Sequence, residues 1–322
     1  MSAKPTFLGL DIGGTHMSVG VVASDGQVLA LERLSTPREA GAEVCLAELL
    51  AVSMRLAATA PADTRPVAVG LGFGGPVDVA AGTVHRSHHV AGWAGVPLVE
   101  RFEQALGLPT VLENDANAAA LAEALFGAGR GCDPVLYVNV GTGIGGGLII
   151  GGRLHRGAHF NAAEIGHLVL VPDGPLCPCG KHGCLEALAS GDAIGRRARE
   201  LQAAGALKGS ALAEVANLTG RAVGEYASRG DAAAVGIIEQ AGGYLGWALA
   251  LAANLLDPEI IVVGGGVAAL GDVYLQPARS RYRQLAMDLV ADVPIVPAAL
   301  GYDAGVIGAA AVAMISLANR ED

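Results

Sequence analysis

Three cysteines and a histidine crowd into one short stretch: Glu164-Ile165-Gly166-His167, then Cys177-Pro178-Cys179-Gly180-Lys181-His182-Gly183-Cys184-Leu185-Glu186. Thiolate sulfur and imidazole nitrogen are donors that suit Zn²⁺, and four protein ligands close its shell, which marks a structural rather than a hydrolytic ion. His167, Cys177, Cys179 and Cys184 are the candidate ligands. The carboxylates Glu164 and Glu186 flank this set without being needed by the metal, so the stretch predicts a small-ligand site braced by zinc. A disulfide framework is the competing reading. The total of five cysteines is odd, and the other two, Cys45 and Cys132, lie far from the cluster in sequence. The opening residues lack the charged and apolar regions of a secretory leader. A reduced, cytoplasmic setting is expected, and it keeps thiols available for metal.

A candidate proton acceptor lies earlier. Residues 109–112 read as a short strand that delivers Glu113-Asn114-Asp115 to an Ala-rich helix over residues 116–126, with Asn117 in its first turn. Asn and Asp are the usual helix caps, so capping alone would account for them. A carboxylate at the positive end of a helix also stays ionised and can take a proton from a substrate hydroxyl. Asp115 is therefore the candidate base, with Asn114 bonding a neighbouring hydroxyl.

Two glycine-rich turns share one pattern. An apolar strand over residues 7–11 runs into Asp11-Ile12-Gly13-Gly14-Thr15, resumes over residues 17–23, turns at Ser24-Asp25-Gly26 and continues over residues 27–31. The same order recurs as residues 135–140, the turn Gly141-Thr142-Gly143-Ile144-Gly145-Gly146-Gly147, residues 148–150, Gly151-Gly152 and residues 153–155. Bare backbone in such turns can crowd around an anion. Neither copy is a P-loop, because no G-x-x-x-x-G-K-[ST] is present and each segment after the glycines alternates like a strand. Two such hairpins suggest two lobes gripping a polyphosphate. A third turn, Gly264-Gly265-Gly266, follows an apolar strand over residues 260–263 and suits the face of a flat ligand such as adenine, or merely a tight strand-to-helix turn.

The elements that must hold these residues alternate strand and helix. Helical spacing is predicted over residues 39–59 and 231–256, and a strand over residues 67–73 enters Gly74-Gly75-Pro76, which together imply α/β layers. At 322 residues, 52% hydrophobic and 16% charged, the chain can bury two ordinary domains. The net charge of −10 and the absence of a Lys/Arg cluster exclude a nucleic-acid surface. The uncharged runs 241–256 and 305–319 fall short of the roughly 20 apolar residues a bilayer requires and read as core helices, so no membrane partner is expected. Residues 203–217 read as a mobile excursion.

Taken together, Leu10-Asp11-Ile12-Gly13-Gly14-Thr15, Glu113-Asn114-Asp115-Ala116-Asn117, Val140 to the Gly145-Gly146-Gly147 run, Glu164-Ile165-Gly166-His167 and the Cys177-to-Glu186 cluster resemble the ROK family of sugar kinases and repressors. The resemblance covers nearly the whole chain. It implies an actin-like, hexokinase-like ATPase fold of α/β class, with two ribonuclease-H-like lobes and an interlobe cleft. The expected small lobe comprises residues 1–122 plus about 303–322, and the large lobe residues 123–302. The implied activity is ATP-dependent phosphorylation of a hexose 6-hydroxyl, with glucose first and N-acetylglucosamine, N-acetylmannosamine, mannose, allose or fructose as alternatives. Asp115 would be the base. Gly75, Asn114, Glu164, His167 and Glu186 would hold the sugar. Gly13, Gly14, Thr15, Thr142 and Gly143 would line the ATP phosphates, Asp11 would act close to Mg²⁺, and Gly265 and Gly266 would flank the adenosine. His167 would bind zinc through one ring nitrogen and face the sugar with the other.

Many family members carry Lys where this chain has His16, which removes a permanent cation near the phosphates. His89 and Trp93 are candidates for the edge of the sugar pocket. His85, His88, His155, His159 and His182 are read as surface or loop residues. A homodimer or homotetramer is the expected assembly. A regulatory member without kinase activity is the alternative of another class. Repressors of the family need a DNA-binding domain ahead of the first strand, and only six residues precede Phe7.

Overall fold

The computed structural model describes residues 4–87 and 89–321, which leaves His88 outside the described residues. The chain divides into two compact units: Met1–Gly131 with Arg153–Ala162 and Leu300–Asp322, and Cys132–Gly152 with Ala163–Ala299.

In the first unit the predicted meander forms as β1 (Thr6–Ile12), β2 (His16–Ala23) and β3 (Val28–Ser35), paired antiparallel. β4 (Pro66–Phe73) then lies parallel to β1. A two-stranded hairpin, β5 (Val77–Asp78) with β6 (Thr83–Val84), comes next. β7 (Thr110–Asn114) completes the main sheet in the order β3-β2-β1-β4-β7. β1, β2 and β4 are covered on both faces and are correspondingly apolar at successive positions, whereas edge strand β3 is half-exposed. Leu8, Leu10 and Ile12 pack with Cys45, Leu46 and Leu49 of helix α1 (Ala42–Thr59) and Phe102 of α2 (Leu98–Leu106). Phe7 and Val22 turn to the other face and meet Val306 and Ala310 of the C-terminal helix Ala304–Glu321.

That C-terminal helix lies with its backbone directly on the strands. A Cβ at Gly70 would stand 1.7 Å from the Ala309 carbonyl oxygen, so only glycine admits this approach. Residues 301–319 are long and apolar enough to cross a membrane by length and composition. Their packing on β1 and β4 makes that apolarity core-forming. α3 (Asp115–Phe126) packs on the same helix. Glu123 ties the two chain segments together: its fully buried carboxylate accepts from Ala128 N and, at 2.8 Å, from Leu300 N.

The second unit repeats the order. β8 (Val135–Val140) pairs antiparallel with β9 (Ile144–Ile150), and the short β10 (Arg153–Leu154) belongs to the first unit. β11 (Ile260–Gly264) lies parallel to β8, and β12 (Ile295–Pro297) parallel to β11. The sequence β9-β8-β11-β12 thus matches β2-β1-β4-β7. Its core is filled from α4 (Leu185–Ala189), α5 (Gly191–Ala203), α6 (Gly220–Ser228), α7 (Ala232–Leu256) and α8 (Asp272–Leu285).

Three local expectations change. The first helix starts at Ala42 rather than at residue 39, because Gly41 takes φ +83 and Arg38–Ala40 form a separate 3₁₀ turn. Asp231 lies just outside α7 as its cap, accepting from Ala234 N. Residues 203–217 are not a loose excursion, since Leu207 and Leu212 are buried in the core of the second unit. We expect Gly70→Ala to destabilise the protein by about 3 kcal/mol, the upper end for forced overpacking. Denaturant unfolding would read this, and a loss below about 1 kcal/mol would contradict the close helix-on-sheet contact.

Candidate active site

The first glycine turn is held by its carbonyls. Ile12 O accepts from Gly74 N at 2.9 Å, Thr15 O from Thr36 N at 3.0 Å and His16 O from Gly13 N at 3.1 Å. Gly13 O accepts from Thr36 Oγ1 at 2.8 Å, and Gly14 O from Arg38 Nε. A trans peptide points its C=O and N–H in opposite directions. Tying the carbonyls of Gly13, Gly14 and Thr15 therefore turns the N–H groups of Gly14, Thr15 and His16 the other way, as an anion-binding concavity. The exposed ring of His89 lies against Gly14, 2.5 Å from where a Cβ would stand. Trp93 lines a small cavity together with Gly13, Gly14 and Gly74. It is 2% exposed and stacks edge-on against Phe73 at 5.2 Å, because an aromatic of that size is worth more in the core of this unit.

Asp115 opens α3 beside this turn. Asn114 is the cap: its Oδ1 accepts from Ala116 N at 3.0 Å and Asn117 N at 3.2 Å, and its Nδ2 donates to Gly75 O at 3.3 Å. Asp115 Oδ1 accepts from Ala116 N at 2.8 Å. The Cβ position of Gly74 is 3.4 Å from Asp115 Oδ2 and 3.6 Å from Gly13 Cα, so one glycine separates the carboxylate from the turn. Beneath the segment, buried Glu113 accepts from Asn114 N, from Asn117 Nδ2 and from Arg156 Nε, the last at 2.6 Å. A buried carboxylate so fully bonded fixes the strand-to-helix turn.

Asp11 sits at the end of β1, against Gly305 near the start of the C-terminal helix. Burial, and then the nearby Asp115 carboxylate, push the Asp11 carboxyl up to about 7 from its ordinary 3.8. Two acids in electrostatic contact in a half-buried place are a donor set that suits a hard divalent cation.

The second turn is built like the first. Val140 O accepts from Val267 N at 2.9 Å, Gly141 O from Gly191 N at 2.8 Å, Thr142 O from Asp192 N at 3.3 Å and Gly143 O from Gly141 N at 2.9 Å. The N–H groups of Thr142 and Gly143 are turned away from those anchors by the same peptide geometry. Ile144 N donates to Glu186 Oε2 at 2.9 Å, so Glu186 braces this turn. Gly265, at φ +91, is required by the fold itself: a Cβ there would stand 2.4 Å from Val140 O, whereas Gly266 has nothing within 4 Å.

Glu186 also reaches toward the cysteine cluster, with Oε1 3.8 Å from Cys177 Sγ. The ligand atoms of His167, Cys177, Cys179 and Cys184 all lie within 4.8 Å of one another. Cys179 Sγ is 3.7 Å from Cys184 Sγ, and Cys177 Sγ is 3.7 Å from His167 Nδ1. A tetrahedron with Zn–S of about 2.3 Å has edges of about 3.8 Å, so these four residues fit zinc. His167 Nδ1 faces the cluster, and Nε2 lies 3.9 Å from Glu164 Oε2. Burial raises the Glu164 carboxyl, His167 opposes that and Glu186 adds to it. His182 Nδ1 meets Gly174 O at 2.9 Å, pinning the loop from outside. His85, His155 and His159 are exposed.

Within the first unit the fold gathers Asp11, Gly13, Gly14, Thr15, Gly75, Asn114 and Asp115. Within the second it gathers Thr142, Gly143, Glu186 and the candidate zinc ligands with Glu164, and sets Gly265 against Val140. Sequence reasoning missed the residues behind the turns, Thr36, Arg38, Gly191, Asp192 and Val267, and the Glu113–Arg156 pair. Only Arg38, a cation in a Pro-Arg-Glu turn just past a predicted strand, offered a signal.

The fold and paired turns define an actin-like, hexokinase-like ATPase. A glucokinase of Streptomyces coelicolor is 38% identical over 315 residues, spanning 95% of this chain and 96% of its own. An N-acetylmannosamine kinase of Escherichia fergusonii is 34% identical over 309 residues, spanning 96% and 98%. The crystal structure of a ROK family glucokinase from Streptomyces griseus, in complex with glucose and AMPPNP, superposes with a TM-score of 0.83 at 38% identity, over 96% of this chain and 99% of that one. The ROK family model matches residues 7–315, and the chain belongs to the ROK family.

Two outcomes are expected of this geometry. Purified protein should carry about one zinc per chain by elemental analysis and Cys179→Ser almost none, whereas equal content in both would reject the cluster as the site. A carboxyl raised in the folded state is a stabilising acceptor of protons at low pH, and its contribution is lost as pH rises from its unfolded value of 3.8 through about 7. In chelator-treated protein, the melting advantage of Asp11→Asn over the parent should therefore grow across that window and level off above it. A constant difference would contradict the raised carboxyl.

Proposed function

We propose that the chain is an ATP-dependent hexose kinase that phosphorylates the 6-hydroxyl of glucose. The observation that carries this reading is the position of Asp115, one glycine away from an N–H-lined turn. A base and a phosphate cradle in such contact suit in-line phosphoryl transfer, which asks chiefly for positioning and charge neutralisation. Asp115 takes the proton of the attacking hydroxyl as the bond to phosphorus forms. Asn114, Gly75, Glu164, His167 and Glu186 hold the other sugar hydroxyls. Gly13, Gly14, Thr15, Thr142 and Gly143 bind the phosphates through N–H and hydroxyl donors, with Gly265 and Gly266 along the adenosine. Asp11 holds Mg²⁺, which when bound neutralises phosphate charge. His167, Cys177, Cys179 and Cys184 hold a structural zinc that fixes the ring of His167 and its tautomer.

A second reading, an N-acetylhexosamine kinase, is favoured by the 34% identity to an N-acetylmannosamine kinase. Exposed Leu255, Met287 and Leu289 on the second unit support a homodimer or homotetramer.

A coupled ADP-release assay over glucose, N-acetylmannosamine, N-acetylglucosamine, mannose, allose and fructose tests the assignment, with glucose expected to give the highest kcat/KM. Preference for an N-acetylated sugar would select the second reading, and no sugar-dependent release would reject both. Asp115→Asn keeps shape and removes the base, so kcat should fall by about 10²-fold or more with sugar KM little changed. An unaltered kcat would remove Asp115 from the base role.

A further inference from the structure

The two turns differ in what stands behind them. The carbonyls of Val140, Gly141 and Thr142 in the second are anchored by main-chain N–H groups, of Val267, Gly191 and Asp192. The first is anchored in part by a cation: Arg38 Nε donates to Gly14 O, and Arg38 Nη2 donates to Thr15 Oγ1 at 2.5 Å. One rigid guanidinium plane thus fixes a carbonyl and a hydroxyl relative to each other. Arg33, Arg55 and Arg101 in the same unit are each neutralised by a carboxylate, from Asp303, Glu32 and Glu43. Among the described residues no carboxylate pairs with Arg38, so its charge adds to the field of the turn. A hydroxyl that accepts from a cation keeps its own proton for donation elsewhere, and the cation polarises that O–H bond.

We propose that Arg38 is a positioning residue for the nucleotide's phosphate groups, orienting the Gly14–Thr15 peptide and turning the Thr15 hydroxyl proton toward the anion. This rests on the kinase reading for its ligand, a magnesium nucleotide. Arg38 acts through Thr15 and Gly14, so it sets nucleotide affinity without touching the sugar. It also supplies, from the strip after β3, a permanent cation at a turn whose own next residue is His16. Lysine would keep the charge and lose the two-pronged geometry.

The test is titration calorimetry of AMPPNP with Mg²⁺, together with steady-state kinetics, on the parent, Arg38→Ala, Arg38→Lys, Thr15→Val and the Arg38→Ala/Thr15→Val double variant. Arg38→Ala should raise nucleotide Kd and KM about tenfold, the scale of one charge-assisted hydrogen bond, with sugar KM unchanged and the melting temperature lowered by no more than the roughly 2 °C that one lost anchor costs. Arg38→Lys should recover only part of that loss. The double variant should lose less than the product of the single losses, because the two residues act as a unit. Unchanged nucleotide affinity in Arg38→Ala, fully multiplicative losses, or an affinity loss that merely tracks a lowered melting temperature would each overturn the proposal. If the parent binds AMPPNP yet releases no ADP with any sugar, the kinase reading fails while calorimetry still decides the role of Arg38. No AMPPNP binding by the parent would overturn both.

Discussion

Carbonyl oxygens tied down behind two glycine turns are the constraint on which the rest of this structure depends. A glycine-rich segment costs more backbone entropy to order than any other, so without anchors neither turn would hold a fixed array of N–H groups. Each anchor contributes about 1 kcal/mol, and together they convert flexible peptide into a directed surface. The anchors come from elements placed by the core. Thr36 and Arg38 follow β3, which pairs with β2 in a register running from His16 with Ser35 to Val22 with Val28. Gly191 and Asp192 open α5, whose Ile194 and Ala198 are buried in the second unit.

The zinc-fitting loop extends the same logic. It leads directly into α4 and then α5, so the segment that carries Cys184 and Glu186 is continuous with the one that anchors Gly141 and Thr142. Glu186 shortens the path further by accepting from Ile144 N. A metal held by His167, Cys177, Cys179 and Cys184 would therefore steady more than the residues beside it. In the first unit buried carboxylates do comparable work, since Glu113 fixes the Asn114 backbone and Glu123 ties the end of α3 to Leu300.

What could be read from the sequence was whatever has its partners nearby. The metal ligands lie within one loop, Asn114 caps the helix that Asp115 begins, and the repeated hairpins announce themselves by composition. Thr36 meets Gly13 across 23 positions and Arg156 meets Glu113 across 43, separations that only strand pairing and packing can close. Trp93, read as a pocket edge, lines a small cavity beside Gly13, Gly14 and Gly74, but its support there is the buried ring of Phe73, a contact across 20 positions that the sequence does not announce. The Ala- and Gly-rich stretch over residues 203–217 looked mobile because its two buried leucines, Leu207 and Leu212, show no helical period.

Amide chemical shifts and exchange protection of the turn residues on addition of Mg²⁺ and AMPPNP test the central claim most directly. The N–H signals of Gly14, Thr15, Thr142 and Gly143 should move and slow their exchange together, while Thr36, Gly191 and Val267, whose N–H groups already serve as anchors, should change little. Perturbation of the anchors with the four turn amides silent would mean that the turns present the wrong face to the nucleotide.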